Sequence, residues 1–176
     1  MVKFLVPIKC SAFCPYQGFL CLLIMLEKIK DLLSNNGIAY KTLHHEPTLT
    51  SEDSAKVRGE SLAIGGKALV IKVDKQFHLF VISAACKMDS KAIKAYFGAK
   101  KSRFASPDEL MEMTGLVPGS VPPFGRPIID LDLYVDESVL ENERIAFNAG
   151  SLTDSVIMKT SDYLALAKPV VIKFSV

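Results

Sequence analysis

The stretch Ile64–Lys72, "IGGKALVIK", places two adjacent glycines and a lysine before four unbroken apolar residues. The apolar run predicts a buried β-strand, and "FHLFVIS" at 77–83 predicts its antiparallel partner across a short polar turn. Because the first strand is almost wholly apolar, we expect it to be buried on both faces. Lys67 would then stand at the mouth of a buried strand, which makes it a candidate functional residue.

Further elements are predicted on both sides of this hairpin from apolar spacing and capping residues. The expected helices are 26–37, 50–59, 89–98, 106–115 and 161–167, and the expected strands are 38–45, 128–136, 144–147, 155–159 and 169–174. Helices and strands are interspersed without a regular strand–helix–strand alternation. The pattern therefore predicts one α+β domain with a mixed, mostly antiparallel sheet of about six or seven strands and surrounding helices.

The composition is that of a globular protein with an uneven distribution of charge. The chain has 176 residues, of which 49% are hydrophobic and 23% charged, and its net charge is +2. Residues 56–103 carry eleven Lys and Arg against three acids, whereas residues 104–176 carry five against eleven. A basic middle third of this kind attracts polyanions, although a solvated face with scattered lysines explains the charge equally well.

The first 24 residues are predicted to be an extension of doubtful role, and residues 25–176 the folded domain. The extension begins like a poor signal peptide, but it lacks a clean cleavage site and Pro15 interrupts its apolar run. It is also too short and broken for a membrane span. We favour either an upstream start codon, with the native chain beginning at Met25, or a nonessential extension.

The four cysteines, Cys10, Cys14, Cys21 and Cys86, form no CxxC pair and have no clustered histidine. Their spacing argues against a zinc site and favours free thiols in a cytoplasmic protein. Sequence signatures of nucleotide-binding loops, serine hydrolases and zinc proteases are also absent. We therefore expect no metal and no cofactor.

The three histidines give weak signals. His78 lies within a predicted strand and is interpreted as a packed histidine. His44 and His45 precede a loop, and adjacent side chains of an extended chain point in opposite directions. At most one of them, which we take to be His45, can line a cleft.

Two local features suggest an anion or carbonyl site. Lys67 could bind an anion or a developing oxyanion, and Gly66 before it would let a ligand approach the main chain; alternatively, the lysine only extends into solvent at a strand end. In "GLVPGSVPPFGRP" (115–127), prolines stiffen a loop whose free amides would aim at a ligand. The alternative is a purely structural connection. The candidate amides are those of Gly119, Ser120, Val121, Phe124 and Gly125.

Taken together, "HEPTLTSEDSAKVRGES", "GGKALVIK", "GSVPPFG" and "FNAGSLTDSV" resemble the YbaK / prolyl-tRNA-synthetase-associated domain family, in order, from about Met25 to the C-terminus. The resemblance implies a barrel-like sheet and an aminoacyl-tRNA deacylase acting in trans, without metal or cofactor. The conserved lysine of the family falls on Lys67, and its GxxxP loop on Gly119–Pro123. Some relatives carry a histidine near "FNAG", which this chain lacks.

The resemblance also implies roles for the site residues. Lys67 and Gly119 are the expected catalytic residues: the lysine holds the terminal phosphate or ribose, and the loop amides fix the aminoacyl carbonyl. Water, oriented by the ribose 2′-hydroxyl, attacks the ester. The expected substrate-binding residues are His45, Gly66, Ser120, Val121, Pro122, Pro123, Phe124, Gly125, Asn148, Gly150 and Ser151.

The implied partner is aminoacyl-tRNA, bound through its 3′-terminal adenosine and acceptor end, and a synthetase is left open as a second partner. No membrane or DNA is expected. The amino acid removed is left open among alanine, cysteine, serine and threonine. A noncatalytic module that binds tRNA or a synthetase, and a hydrolase of another small ester, are the alternative functions.

Overall fold

The computed structural model describes residues 15–48 and 50–176, and for residues 15–24 the course of the main chain alone. The helices are α1 (Pro15–Asn35), α2 (Ser51–Arg58), α3 (Ser90–Phe97), α4 (Pro107–Thr114), α5 (Glu137–Leu140) and α6 (Thr160–Ala167). The strands are β1 (Tyr40–His44), β2 (Gly66–Val73), β3 (Gln76–Ser83), β4 (Ser102–Phe104), β5 (Leu133–Asp136), β6 (Arg144–Asn148), β7 (Asp154–Lys159) and β8 (Val170–Ile172). A short 3₁₀ helix, Leu62–Ile64, precedes β2.

The α+β class and the β2–β3 hairpin are confirmed, but the single barrel-like sheet is wrong. The strands form two sheets, a three-stranded antiparallel sheet in the order β1-β7-β6 and a five-stranded mixed sheet in the order β4-β2-β3-β5-β8. Over the described residues the sheets do not close into a barrel. They meet where Gly65 forms an isolated parallel bridge with Ala146, directly before β2 begins. Strand β5 pairs in parallel with both β3 and β8. These strands therefore extend the five-stranded sheet on the side of β3 opposite to β2.

Local capping signals are confirmed where the sequence shows them clearly. Helix α2 begins after Thr50, whose hydroxyl accepts the Asp53 amide at 3.0 Å, and ends at Gly59 in the left-handed conformation. Helix α4 has the full capping box of Ser106 and Glu109. These short helices are therefore delimited by their own side chains and glycines.

The main core lies between the two sheets and the helices that cover them. Buried apolar side chains of α1 (Ile29 and Leu33), β5 (Val135), β6 (Phe147) and α6 (Tyr163) meet there. Helix α1 runs unbroken through the predicted boundary between residues 24 and 25. The remainder of the prediction for residues 1–24, with Cys10 and Cys14, lies outside the described residues.

Two predictions about strands need correction. Only the second half of β2 is buried, because residues 66–69 are half-buried along a pocket. The alternating segment 128–136 forms a strand only from Leu133, since residues before it turn. Its last residue, Asp136, is fully buried. His78 is confirmed as a packed histidine, buried against Phe80, Phe97 and Tyr134.

Candidate active site

A pocket of about 220 Å³ lies where the two sheets meet. Its walls come from four segments that are distant in sequence: helix α2, the start of β2, the Gly119 loop and the end of β6. Five of the predicted site residues line it, namely Gly66, Lys67, Gly119, Val121 and Asn148. The fold thus brings the two features singled out in the sequence, the Gly-Gly-Lys stretch and the proline-rich loop, to one cavity.

The glycine pair is required by packing between the sheets. A Cβ atom at Gly66 would lie 2.7 Å from Ile145 Cδ1, and one at Gly65 would lie 2.9 Å from Ala84 Cβ. Both separations are too short for real contacts, and neither glycine has positive φ. The glycines therefore allow β2 to approach β6 and β3 closely, whereas the sequence had suggested room for a ligand.

Lys67 is half-buried in β2, opposite Ile82 of β3. Its ammonium forms no hydrogen bond or ion pair with residues 15–48 or 50–176. One carboxylate, that of Glu60, also lines the pocket, but it is paired with Arg144. The lysine is thus a cation without a protein counter-ion in this part of the chain, positioned to meet a negative group that enters the pocket.

Two residues of the Gly119 loop, Gly119 and Val121, line the same cavity. Gly119 has φ +88°, a conformation that favours glycine, and its carbonyl accepts a hydrogen bond from Asn148 Nδ2 at 2.8 Å. Within the described chain, the amides of Gly119 and Val121 donate to no protein atom. The Ser120 amide, by contrast, donates to the Val117 carbonyl at 3.1 Å. The loop therefore offers the amides of Gly119 and Val121, and not that of Ser120.

Buried aromatic side chains hold this loop in shape. Tyr163 of α6 is fully buried and donates its hydroxyl to the Pro123 carbonyl at 2.7 Å. Burial also raises the pKa of Tyr163 far above its usual value, so it remains a neutral donor. Phe124 packs edge-on against Phe147 and Tyr163, each with ring centroids 5.5 Å away. No sequence pattern indicated the Tyr163 anchor, which lies forty residues from the carbonyl it binds.

The remaining predicted site residues lie outside the pocket lining. Ser120, Pro122, Pro123, Phe124 and Gly125 belong to the loop but are buried, and Gly150 and Ser151 are buried as well. A Cβ at Gly125 would lie 2.7 Å from the Leu131 carbonyl oxygen, so this glycine serves close packing. The Ser151 hydroxyl donates to Asp154 at 2.5 Å. Direct contact between these residues and the substrate stays a prediction. Their burial outside the pocket lining does not favour such contact.

Asp154 organises a turn with Ser151, whose hydroxyl accepts the Asp154 amide at 2.9 Å. Burial alone would raise its pKa, but hydrogen bonds from Ser151, His44 and Thr153 hold the pKa below its usual range. His44 itself is exposed and meets Asp154 at 2.8 Å. Asp154 thus stays ionised and organises the loop 148–154 at the edge of the three-stranded sheet.

Arg58 is the pocket residue that the sequence analysis missed. It is the last residue of α2, and its guanidinium donates through Nε to Ser155 Oγ at 2.9 Å and through Nη2 to Asn148 Oδ1 at 2.6 Å. Burial lowers the pKa of this guanidinium to about 10. The available signal was an arginine directly before the helix-ending glycine in "SAKVRG", which is also the ordinary place for a cation at a helix C-terminus.

His45 is connected to the pocket indirectly. Its Nδ1 donates to the Glu46 carbonyl at 2.8 Å, and its Nε2 lies 2.7 Å from Ser155 Oγ. Ser155 in turn receives the Arg58 hydrogen bond. A chain of hydrogen bonds therefore runs from His45 through Ser155, Arg58 and Asn148 to the Gly119 carbonyl, and it orients the back wall of the pocket.

The described residues offer neither a metal cluster nor a membrane-spanning helix. Across 15–48 and 50–176, no three His, Cys, Asp or Glu side chains are grouped so that they could hold a metal ion. Within the same part of the chain, no helix combines the length and hydropathy needed to cross a bilayer.

Comparison with known proteins gives the class of this fold and site. The profile of the aminoacyl-tRNA editing domain matches residues 45–166, which include all the pocket segments described above. The chain belongs to this family. The multifunctional Ser/Thr-tRNA deacylase ProXp-y of Escherichia coli (strain K12) is 37% identical over 154 residues, covering 84% of this chain and 91% of that protein.

Two further comparisons connect the chain with prolyl-tRNA synthetases. The proline–tRNA ligase of Shouchella clausii is 32% identical over 100 residues, which is 57% of this chain and 17% of the ligase. The crystal structure of a proposed trans-editing enzyme for prolyl-tRNA synthetase superposes with a TM-score of 0.75 at 23% identity, covering 94% of this chain and 99% of that one. The chain therefore shares the fold of that structure.

Proposed function

We propose that this protein is a trans-acting aminoacyl-tRNA deacylase that hydrolyses the ester bond of mischarged tRNA. Membership of the editing-domain family supports the reaction class, and the coverage of a full-length deacylase supports action in trans. One observation carries the proposal for this chain. Lys67, which has no counter-ion in the described chain, lines one cavity together with Gly119 and Val121, whose amides donate to no atom of the described chain.

Hydrolysis of the ester needs only modest catalysis by the protein, because an ester is already reactive. Lys67 holds the terminal phosphate or ribose and offsets negative charge, and the amides of Gly119 and Val121 bind the aminoacyl carbonyl oxygen. Water, oriented by the substrate's own 2′-hydroxyl, attacks the carbonyl carbon. The bond from that carbon to the ribose oxygen breaks, the ribose oxygen takes a proton, and free amino acid and tRNA are released.

We propose serine and threonine as the amino acids that are removed. The α2 side of the cavity is lined by hydroxyl groups, with Thr48 Oγ1 and Ser54 Oγ 2.8 Å apart and the Ser54 hydroxyl also donating to the Thr50 carbonyl. Small polar side chains can exchange hydrogen bonds with such a wall. The relative from Escherichia coli is named for the same two amino acids.

Hydrolysis of a panel of aminoacyl-tRNAs tests the proposal directly. We expect release of serine and threonine from tRNA at rates well above spontaneous hydrolysis, and slower release of alanine, cysteine and proline. The free amino acid is measured over time with a no-enzyme control. The absence of release from every member, with tRNA still bound, would support the noncatalytic binding module instead.

A basic surface at the far end of β2 gives the tRNA a place to extend. Lys94, Lys100 and Lys101 surround a shallow cleft there, and Asp74 accepts the amides of Lys100 and Lys101 at 3.1 and 2.9 Å. This end of β2 is roughly 20 Å from Lys67 along the strand. Phosphates of the acceptor end can therefore reach the lysines while the terminal adenosine occupies the pocket.

Reversing two of these charges should weaken tRNA binding without altering chemistry. For Lys100→Glu/Lys101→Glu we expect KM to rise about tenfold and the slope of log KM against log salt to fall by about two. The control Lys41→Glu/Lys159→Glu makes the same charge change on exposed positions of the other sheet. Equal effects of the two double variants on KM would mean that only net charge matters, and that the cleft is not the docking surface.

The cellular setting follows from the proposed substrate. Aminoacyl-tRNA is used in the cytoplasm, and we place the protein there. Similarity to part of prolyl-tRNA synthetases makes a synthetase a candidate second partner.

A further inference from the structure

The Arg58 guanidinium lies at the pocket with only neutral acceptors. Its two protein hydrogen bonds go to a hydroxyl, Ser155 Oγ, and to an amide oxygen, Asn148 Oδ1. An arginine has five N–H donors, so three remain, and none finds an acceptor among residues 15–48 and 50–176. Removing such a cation from water costs free energy, and hydrogen bonds to neutral oxygens offset only part of that cost.

The acidic side chain closest to this part of the pocket is already used. Glu60 lines the cavity, but both of its carboxylate oxygens accept from Arg144, each at 2.9 Å. Arg58 and Lys67 are thus two cations facing one cavity whose carboxylate is paired elsewhere. The C-terminus of α2 favours a cation, but an exposed residue such as Lys56 meets that need without burial.

We propose that Arg58 binds a phosphate oxygen of the single-stranded tRNA end, namely the phosphate that joins the last two nucleotides. This inference rests on the proposed function and names a binding residue for it. In an aminoacyl-tRNA the amino acid's carboxyl group is esterified and its amino group is positive. The phosphates are therefore the anions that this substrate can present to two pocket cations.

Asn148 links this phosphate site to the carbonyl site. Its amide oxygen accepts from Arg58, and its amide nitrogen donates to the Gly119 carbonyl at 2.8 Å. The guanidinium and the loop are consequently held at a fixed separation by one planar group. A phosphate gripped by Arg58 would place the ester relative to the loop amides, so Asn148 acts as a positioning residue between the two.

The test combines a protein change with a change in the substrate. A short RNA hairpin carrying the acceptor end is charged with serine, in one form with normal phosphates and in another with an uncharged methylphosphonate at the last linkage. For the wild type, we expect the uncharged linkage to lower kcat/KM roughly tenfold to a hundredfold, the range for a hydrogen bond to a charged group. For Arg58→Gln, the same linkage should lower kcat/KM less than about threefold.

Matched variants make the outcome specific. Arg103→Gln removes an arginine that pairs with Glu109 away from the pocket, and it should keep the full penalty. Arg58→Lys keeps the charge but loses the planar fork, and should retain part of the penalty; it also serves if Arg58→Gln does not fold. Lys67→Ala, assayed with both forms of the RNA, shows how much of the penalty depends on Lys67 rather than on Arg58.

Two results are decisive. An uncharged linkage that costs the same factor in the wild type and in both Arg58 variants would overturn the inference and leave Arg58 a structural residue, although the deacylase would stand. A wild type that hydrolyses no normal aminoacyl-RNA, in contrast, contradicts the proposed function itself. Methylphosphonates at the two preceding linkages, where Arg58→Gln should change nothing, verify the position.

Discussion

Lys67→Ala should lower kcat for deacylation about a hundredfold to a thousandfold, the usual effect of removing one preorganised group that stabilises developing charge. The lysine is half-buried at the pocket and makes no ion pair with the described residues, so its loss leaves no protein group unpaired. The variant should therefore fold with nearly unchanged stability. Single-turnover hydrolysis of seryl-tRNA measures the first effect, and urea denaturation the second.

Lys41→Ala is the matched control, because Lys41 is an exposed strand lysine of the other sheet. It should hydrolyse seryl-tRNA at the wild-type rate. Lys67→Arg would show whether charge alone suffices, since arginine delivers its charge through a longer, planar group. Full activity in a folded Lys67→Ala would remove the lysine from the mechanism and leave the loop amides to act without it.

Asp136→Ala should be the most destabilising of the single substitutions considered, by about 2–4 kcal/mol. The carboxylate is fully buried and accepts the amides of Ser138 at 2.9 Å and Phe174 at 2.6 Å. The first bond caps α5, and the second ties the C-terminal segment to the sheet. Removal of the carboxylate leaves two donors without a partner in a dry interior.

Asp136→Asn removes the charge but keeps the size of the side chain. We expect it to lower the free energy of unfolding about half as much as Asp136→Ala does. Asp31→Ala, at an exposed position of α1, should change the free energy of unfolding by less than about 0.5 kcal/mol. Chemical denaturation of the three variants measures these differences. Equal stability of Asp136→Ala and wild type would mean that water replaces the carboxylate, contrary to its burial.

The same carboxylate gives a pH dependence of defined sign. Burial alone would raise the pKa of Asp136, but the hydrogen bonds from Ser138 and Phe174 hold it below its usual value. Its contribution to stability is therefore complete above the unfolded-state pKa of about 3.9 and is lost as the pH falls through the lower folded-state pKa. The stability difference between wild type and Asp136→Asn should shrink as the pH is lowered below 4.

Local structure was predictable because its causes lie close together in the sequence. Helices α2 and α4 have their caps within a few residues, and the β2–β3 hairpin has its turn between two apolar runs. The parallel pairing of β5 with β3 and β8 depends on contacts far apart in the chain, so the residue pattern predicted one sheet where there are two. The barrel-like shape was implied only by the family resemblance.

The residues of the candidate site also fall into those with local sequence signals and those that depend on distant contacts. Lys67 and Gly119 could be found because glycine, proline and lysine leave local signatures, and because the motifs resemble a family. The packing role of Gly66 was missed, since Ile145, the side chain that a Cβ there would meet, is seventy-nine residues away. Contact of Gly66 with a ligand stays a prediction. Arg58 and Asn148 each have an ordinary local explanation, and only their mutual hydrogen bond reveals the back wall of the pocket.

The amide of Asn148 also restricts which residues could replace it. It accepts on one side and donates on the other, so aspartate, which is nearly identical in size, would gain a charge beside Arg58 and lose its donor toward Gly119. Such a carboxylate would be an internal substitute for the incoming phosphate. A one-atom exchange at this position would thus make the protein compete with its own substrate, and related proteins with a different residue here must hold the loop and the arginine by other means.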